Sequence, residues 1–225
     1  SINQGLPLDV LNGCTAMSSL TVVDLGTGNL HSVAKAVEYA GEGVSVRVSS
    51  DPAVIRRADR VILPGQGAVG TWFKALGAGE LRNAIDEVIK SRPLLGICLG
   101  LQALFDFSDE DEGTPGLGVL PGRVMRFSPP AQTNGLKVPH MGWNNVNQSQ
   151  QHPIWKGIGD GERFYFVHSY YAVATHQEDE IGGTVYGHSF TSAAASGGVA
   201  AVQFHPEKSA SAGIQLLRNF LAWSP

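Results

Sequence analysis

Two short stretches of this sequence hold residue types that can do covalent chemistry together. The first is Gly96-Ile97-Cys98-Leu99-Gly100, which follows Leu94-Leu95 and leads into Gln102-Ala103-Leu104-Phe105. An apolar run, then G-x-nucleophile-x-G, then a helical pattern is the sequence form of a nucleophile elbow. There a sharp strand-to-helix turn presents one reactive side chain at the end of a sheet. The glycines suit the strained backbone and the close packing of strand on helix, where a Cβ has no room. A cysteine in this place also stands at a helix N-terminus, whose dipole favours a thiolate.

The second stretch is Gln203-Phe204-His205-Pro206-Glu207. Free cysteine is only a few per cent thiolate at neutral pH, so Cys98 needs a base. The histidines are His31, His140, His152, His168, His176, His188 and His205. Of these, His205 closes an apolar strand and so should emerge at a sheet end, where functional groups gather in open α/β folds. Glu207 can accept the imidazole N–H and fix its tautomer, with Pro206 restricting the backbone between them. Taken singly, a cysteine in an apolar run is a core residue and His-Pro-Glu a surface turn. The combination favours Cys98, His205 and Glu207 as one catalytic group.

The elements that must position these groups are legible as periodicity. Leu20 to Val23 reads as a strand and Asn29 to Ala40 as a helix with apolar Leu30, Val33, Ala34, Val37 and Ala40. Val44 to Val48 and Arg60 to Leu63 read as strands, the latter stopped by Pro64-Gly65. A helix through Leu81, Ile85, Val88 and Ile89 leads to the strand Leu94 to Ile97. Strands separated by helices in this rhythm predict an α/β fold: an open, mostly parallel central sheet with helices on both faces. The second half offers Gly122 to Phe127, Phe164 to Val167, Tyr171 to Thr175, Ile181 to Tyr186 and Val199 to Phe204 with few helices between them. That predicts an antiparallel extension of the sheet, closed by a helix from Ser209 through Phe220.

The 225 residues, 43% of them hydrophobic, suffice for one sizeable core. A net charge of −4 without a basic cluster gives no support to a nucleic-acid or anionic-membrane partner. No apolar stretch approaches a membrane span. Only Cys14 and Cys98 occur, which argues against a disulfide framework and for a reducing, cytoplasmic setting. Residues 1–16 lack the charged and apolar regions of a signal peptide and are read as a leader ahead of a natural start at Met17. Residues 17–225 are then a single domain. No histidines pair at metal-ligand spacing and no cofactor motif stands out, so neither a metal nor a cofactor is expected.

The motif G-I-C-L-G-L-Q followed much later by H-P-E resembles the class I (triad-type) glutamine amidotransferases, and the strand–helix order agrees from about Met17 onward. The resemblance implies a flavodoxin-like sheet. It also implies attack of Cys98 on the side-chain amide of L-glutamine to form a γ-glutamyl thioester, with release of ammonia. His205 is then the proton carrier and Glu207 its orienting group. The backbone N–H of Leu99, next after the nucleophile, is one expected oxyanion donor. The Pro64-Gly65-Gln66-Gly67 turn matches the family's oxyanion segment and offers the N–H of Gln66 as the second. Gly67, Gln102, Ser169 and Tyr170 match positions that hold the substrate glutamine.

Lys137-Val138-Pro139-His140-Met141-Gly142-Trp143-Asn144 suits a shaped interaction surface rather than a plain loop. Together with Gly26-Thr27-Gly28-Asn29-Leu30 it is similar to one branch of the family, the glutaminase subunits of imidazole glycerol phosphate synthases. That similarity implies a heterodimer with a (β/α)8-barrel cyclase subunit, docked near Asn29, Met141, Trp143 and Asn144. Ammonia would pass to the cyclase, which makes imidazole glycerol phosphate and the carboxamide ribonucleotide AICAR in histidine biosynthesis. It implies weak glutaminase activity until the partner is loaded, with a peptide flip at Gly65–Gly67 as the expected switch. Two other enzyme readings stay open: a glutaminase of another synthase, and a stand-alone γ-glutamyl cysteine hydrolase. A nucleotide-binding turn at Gly26-x-Gly28 is weaker, because His31 replaces the third glycine of G-x-G-x-x-G.

Overall fold

The computed structural model describes residues 18–128 and 135–225; the leader, Cys14 and Met17 lie outside the described residues. The first half alternates strand and helix: β1 (Ser19–Val23), α1 (Leu30–Ala40), β2 (Ser45–Ser49), α2 (Pro52–Arg57), β3 (Arg60–Gly65), α3 (Val69–Leu76), α4 (Glu80–Ser91), β4 (Leu94–Cys98) and α5 (Leu99–Leu104). The second half is mostly strand: β5 (Phe105–Ser108), β6 (Thr114–Pro115), β7 (Leu120–Arg126), β8 (His140–Gln148), β9 (Glu162–His168), β10 (Tyr170–Ala174), β11 (Glu180–Tyr186), β12 (His188–Ser196) and β13 (Val199–Val202), before α6 (Ala210–Ala222).

The spine of the sheet runs β2-β1-β3-β4-β13-β12-β10-β7-β5-β6, and β11, β8 and β9 branch from β12. Strands β2, β1, β3, β4 and β13 are parallel to one another, as the alternating pattern predicts. From β13 outward the pairing turns antiparallel through β12, β10 and β7. Helices α1 and α6 cover one face, their Val33, Val37, Leu217 and Phe220 buried in one core. Helices α2 to α5 cover the other, with Ile55, Trp72, Ile85 and Leu101 in a second core. Strand β4 is buried along its whole length, as a central parallel strand between two helical layers must be.

Several elements differ from the periodicity. Strand β3 runs on through Pro64 and Gly65, because the parallel register carries Gly65 alongside Cys98. Helix α2 escapes notice because it is six residues long, yet Asp51 caps it by accepting from the N–H of Ala53 at 2.8 Å, and Pro52 opens it. The helix after Cys98 stops at Leu104, and Phe105, fully buried, starts β5. The segment read as an interaction surface is strand β8 from His140 onward, paired with β9.

The geometry around β3 and α5 sets apart two glycines that sequence alone treats alike. A Cβ on Gly100 would stand 1.8 Å from the Leu63 carbonyl oxygen, whereas one on Gly67 would meet nothing within 4 Å but would need φ +89°. Gly100→Ala is therefore expected to lower unfolding stability by at least about 3 kcal/mol, the upper end of overpacking costs. Gly67→Ala should cost only about 1 kcal/mol of backbone strain. Urea denaturation of the two variants checks this, and a Gly100→Ala protein as stable as the parent would contradict the packing described.

Candidate active site

Parallel register brings the chemistry-bearing residues to one edge of the sheet. Gly65 at the end of β3 is the partner of Cys98 at the end of β4, and Val202 at the end of β13 pairs with Ile97. The residues that follow each strand, Gln66-Gly67, Leu99 and Gln203 to His205, meet beyond their carboxyl ends, where open α/β sheets place their ligands. Cys98 holds φ 55° and ψ −111°, a conformation that non-glycine residues rarely adopt. It is held there from both sides. A Cβ on Gly96 would come within 2.9 Å of the Gly100 carbonyl oxygen, so strand and helix close on each other just behind the cysteine.

His205 lies three residues past β13. Its backbone N–H donates to the Tyr165 carbonyl at 2.9 Å, and the Ser209 hydroxyl donates to the His205 carbonyl at 2.6 Å. Nδ1 stands 2.7 Å from Oε1 of Glu207, and both side chains are only 2% exposed. Burial pushes the imidazole down, but charge on the Cys98 sulfur and the Glu207 carboxylate outweigh it and raise the group to about 10. Nε2 lies within electrostatic reach of Cys98 without a hydrogen bond of ordinary geometry to it. Cysteine, imidazole and carboxylate thus form the ordered set that the two motifs predict.

These residues open on a cavity of about 550 Å³. Gln66, Gly67, Leu99, Gln102, Ser169 and Tyr170 all line it, as expected. Gln102 does so differently from the expectation: its amide donates to the Tyr170 carbonyl and to Gln203 Oε1, both at 3.0 Å, so its N–H groups brace the wall. Gln203 in turn donates to the Cys98 sulfur at 3.7 Å. Glu110 and Arg126, which sequence reasoning missed, add a carboxylate and a guanidinium to the lining. Glu110 accepts from the N–H of Val69 at 3.1 Å, and its carboxyl is raised chiefly by burial. The acidic run at 108–118 was its only signal, and charge alone did not set it apart from a solvated face.

Of the expected interface residues, Met141 and Trp143 are 61% and 44% exposed, with the Tyr165 ring 6.1 Å from that of Trp143. Asn29 spends its side chain capping α1, accepting from the N–H of Ser32 at 3.2 Å. Asn144 turns inward and donates to the Val185 carbonyl at 3.0 Å. Beside it lie two buried histidines the motifs did not flag. His140 and His168 are cross-strand partners whose Nδ1 and Nε2 approach to 2.8 Å. Burial lowers them to about 4 and about 3. Among the described residues no group of three or more His, Cys, Asp or Glu could hold a metal, and no helix is long and apolar enough to cross a membrane.

The family model for class-I glutamine amidotransferases matches residues 21–223. The imidazole glycerol phosphate synthase subunit HisH of Thiobacillus denitrificans is 51% identical over 210 residues, 92% of each chain. That of Aromatoleum aromaticum is 49% identical over 213 residues, 93% of this chain and all of that one. Among solved structures, PurLQS from Thermotoga maritima has a TM-score of 0.69 at 18% identity, covering 92% of this chain and 98% of that one, a likeness of fold.

The two histidine environments predict opposite pH responses. His140 and His168 stay neutral when folded but take up protons below about pH 6.5 when unfolded, so their contribution is lost as pH falls from 6.5 toward 4. The slope is up to about 1.4 kcal/mol per pH unit for the deeper His168 and less for His140. His205 contributes stability below its unfolded value, lost as pH rises from 6.5 through about 10. Urea midpoints from pH 4 to 10 test this; in the His140→Phe/His168→Phe double variant the acid limb should flatten and the alkaline limb persist. An unchanged acid limb would show that other groups carry it.

Proposed function

The chain belongs to the class-I glutamine amidotransferases, and on that premise we propose that it is the glutaminase subunit of an imidazole glycerol phosphate synthase. The observation that carries the reading is Cys98, strained at its elbow, beside the buried His205–Glu207 pair at the wall of a cavity with room for an amino acid. L-Glutamine enters with its side-chain amide toward Cys98. Its zwitterionic end suits the carboxylate of Glu110 and the guanidinium of Arg126, with Gly67, Gln102, Ser169 and Tyr170 forming the walls.

The Cys98 proton rests on His205 Nε2, which the flanking charges hold protonated, and the sulfur attacks the amide carbon. Negative charge develops on the carbonyl oxygen, stabilised by the N–H groups of Leu99 and Gln66; one such donor is typically worth about 10²–10³ in rate. The C–N bond breaks as His205 returns the proton, and ammonia leaves. Water, deprotonated by the same imidazole, then cleaves the thioester to glutamate. Glu207 keeps Nδ1 protonated throughout, so that Nε2 does the proton transfer.

Free ammonia is mostly protonated near neutral pH and then is no nucleophile, which gives a reason to pass it directly to a second enzyme. A (β/α)8-barrel cyclase fits as the partner, seated over the exposed Met141 and Trp143 near Asn29 and Asn144. The cytoplasm is the setting that this reading implies. The close kinship with HisH subunits over nearly the whole chain supports this acceptor over that of another synthase.

Cys98→Ala should abolish glutamine-dependent synthesis of imidazole glycerol phosphate, by at least about 10³-fold. Ammonia-dependent synthesis by the reconstituted pair should stay within about twofold. Glu207→Gln should slow glutamine hydrolysis about 10²-fold, less than the Asp→Asn change costs a serine triad because a thiol depends less on its base. Coupled assays with and without the cyclase and its nucleotide measure all three. Full-rate hydrolysis by the subunit alone, unstimulated by the partner, would overturn the subunit reading.

A further inference from the structure

The Tyr170 carbonyl receives two hydrogen bonds, from Gln102 at 3.0 Å and from His168 Nδ1 at 2.7 Å. A carbonyl only accepts, so His168 carries its proton on Nδ1 and its Nε2 must accept. The donor to Nε2 is Nδ1 of His140 at 2.8 Å, which leaves His140 Nε2 to accept from the amide of Asn144 at 3.2 Å. Asn144 uses its other N–H on the Val185 carbonyl. Every donor in this chain has an acceptor, and each link has one orientation that satisfies it. The pair sits among aromatic rings, with His140 stacked on Phe166 and Tyr186 and His168 beside Phe127 and Phe190. Two apolar side chains would fill that space without the cost of burying polar atoms.

At one end of the chain stands the wall formed by Ser169 and Tyr170, and beyond it Gln102, Gln203 and the Cys98 sulfur. At the other stands β8, whose alternate residues Met141 and Trp143 face outward. Resting on the glutaminase reading of the cavity, we propose that His168 and His140 are positioning residues for glutamine. They hold the Ser169–Tyr170 wall through the Tyr170 carbonyl and are anchored at Asn144, beneath the exposed face of β8. His168 itself borders the cavity and His140 stands behind it, and neither is given a part in the bond-breaking steps. They fix the backbone against which the amino-acid end of the substrate rests.

The test uses the full chain reconstituted with its cyclase partner. His168→Phe removes the donor to Tyr170 while keeping an aromatic ring in an aromatic box. It should raise KM for glutamine about tenfold with kcat within about threefold, the pattern of lost uniform binding. Alkylation of Cys98 by iodoacetamide, which lacks the amino-acid end, should keep its rate within about twofold. His168→Asn, which retains a donor near the Nδ1 position, should bring KM back to within about threefold of the parent, and His140→Phe should raise it about threefold. Calorimetry of glutamine binding in a Cys98→Ala background gives the same comparison without turnover, and His168→Phe should weaken binding there about tenfold. An unchanged KM in folded His168→Phe, no recovery with His168→Asn, or kcat and alkylation falling together would each overturn the positioning role. If the parent neither binds nor hydrolyses glutamine, the glutaminase reading itself falls.

Discussion

The approach of helix α5 to strand β3 is the contact on which the rest of the site depends. Gly100 lies so close to Leu63 that no side chain fits between them, and Gly96 closes the same gap from β4. With α5 locked against β3 and β4, the chain passing from β4 into α5 has one residue in which to reverse, and that residue is Cys98 at φ 55°. The strain is sustained because Gly100 lies against the Leu63 backbone and Gly96 against the Gly100 carbonyl, backbone approaches that cannot relax by a rotamer change. The same contact fixes the distance from Cys98 to the turn at Gly65–Gly67, since β3 carries both the carbonyl that excludes a Cβ and the turn itself.

Around this fixed point the protein arranges buried histidines to opposite ends. His205 and His168 are both shielded from water and both lose solvation that a charge would need. His205 has a carboxylate on one side and a sulfur on the other, and those charges overcome burial. His168 has burial first, then a carbonyl, a second histidine and the charge of His205 within reach, with no carboxylate to offset them among the causes of its shift, and it is driven down. One imidazole thereby favours its charged form, and the other stays a neutral link in a line of hydrogen bonds. Composition of the immediate surroundings, rather than depth, separates the two roles.

Much of this was readable from the chain. The parallel half followed from apolar runs alternating with helical periodicity, and Cys98, His205 and Glu207 from two short motifs. Helix α2 was too short for a period to show, and β5 was hidden because Phe105 completes the pattern of the helix before it. Strand β12, His188–Ser196, is buried through its middle and built of small residues, so it shows no alternation. Gln203, Glu110 and Arg126 carry no motif of their own; each gains its part only from what the fold puts beside it. Asn144, named with the interface residues, is half-buried and also reaches a buried histidine, which follows from its place next to an outward Trp143 on the strand.

The sequence alone determined the reagents and their order: a cysteine with room on both sides for a sharp turn, and a histidine with a carboxylate two residues away. These are local facts, because elbow and tripeptide are each encoded within a few residues by the absence of a Cβ or the rigidity of proline. The tertiary structure decided which groups meet them. Gly65 beside Cys98, His205 against it across more than a hundred residues of chain, and the line of hydrogen bonds from Tyr170 to Asn144 are all products of strand register. Register is set by the burial of whole faces of the sheet at once, a collective property that no window of the sequence contains.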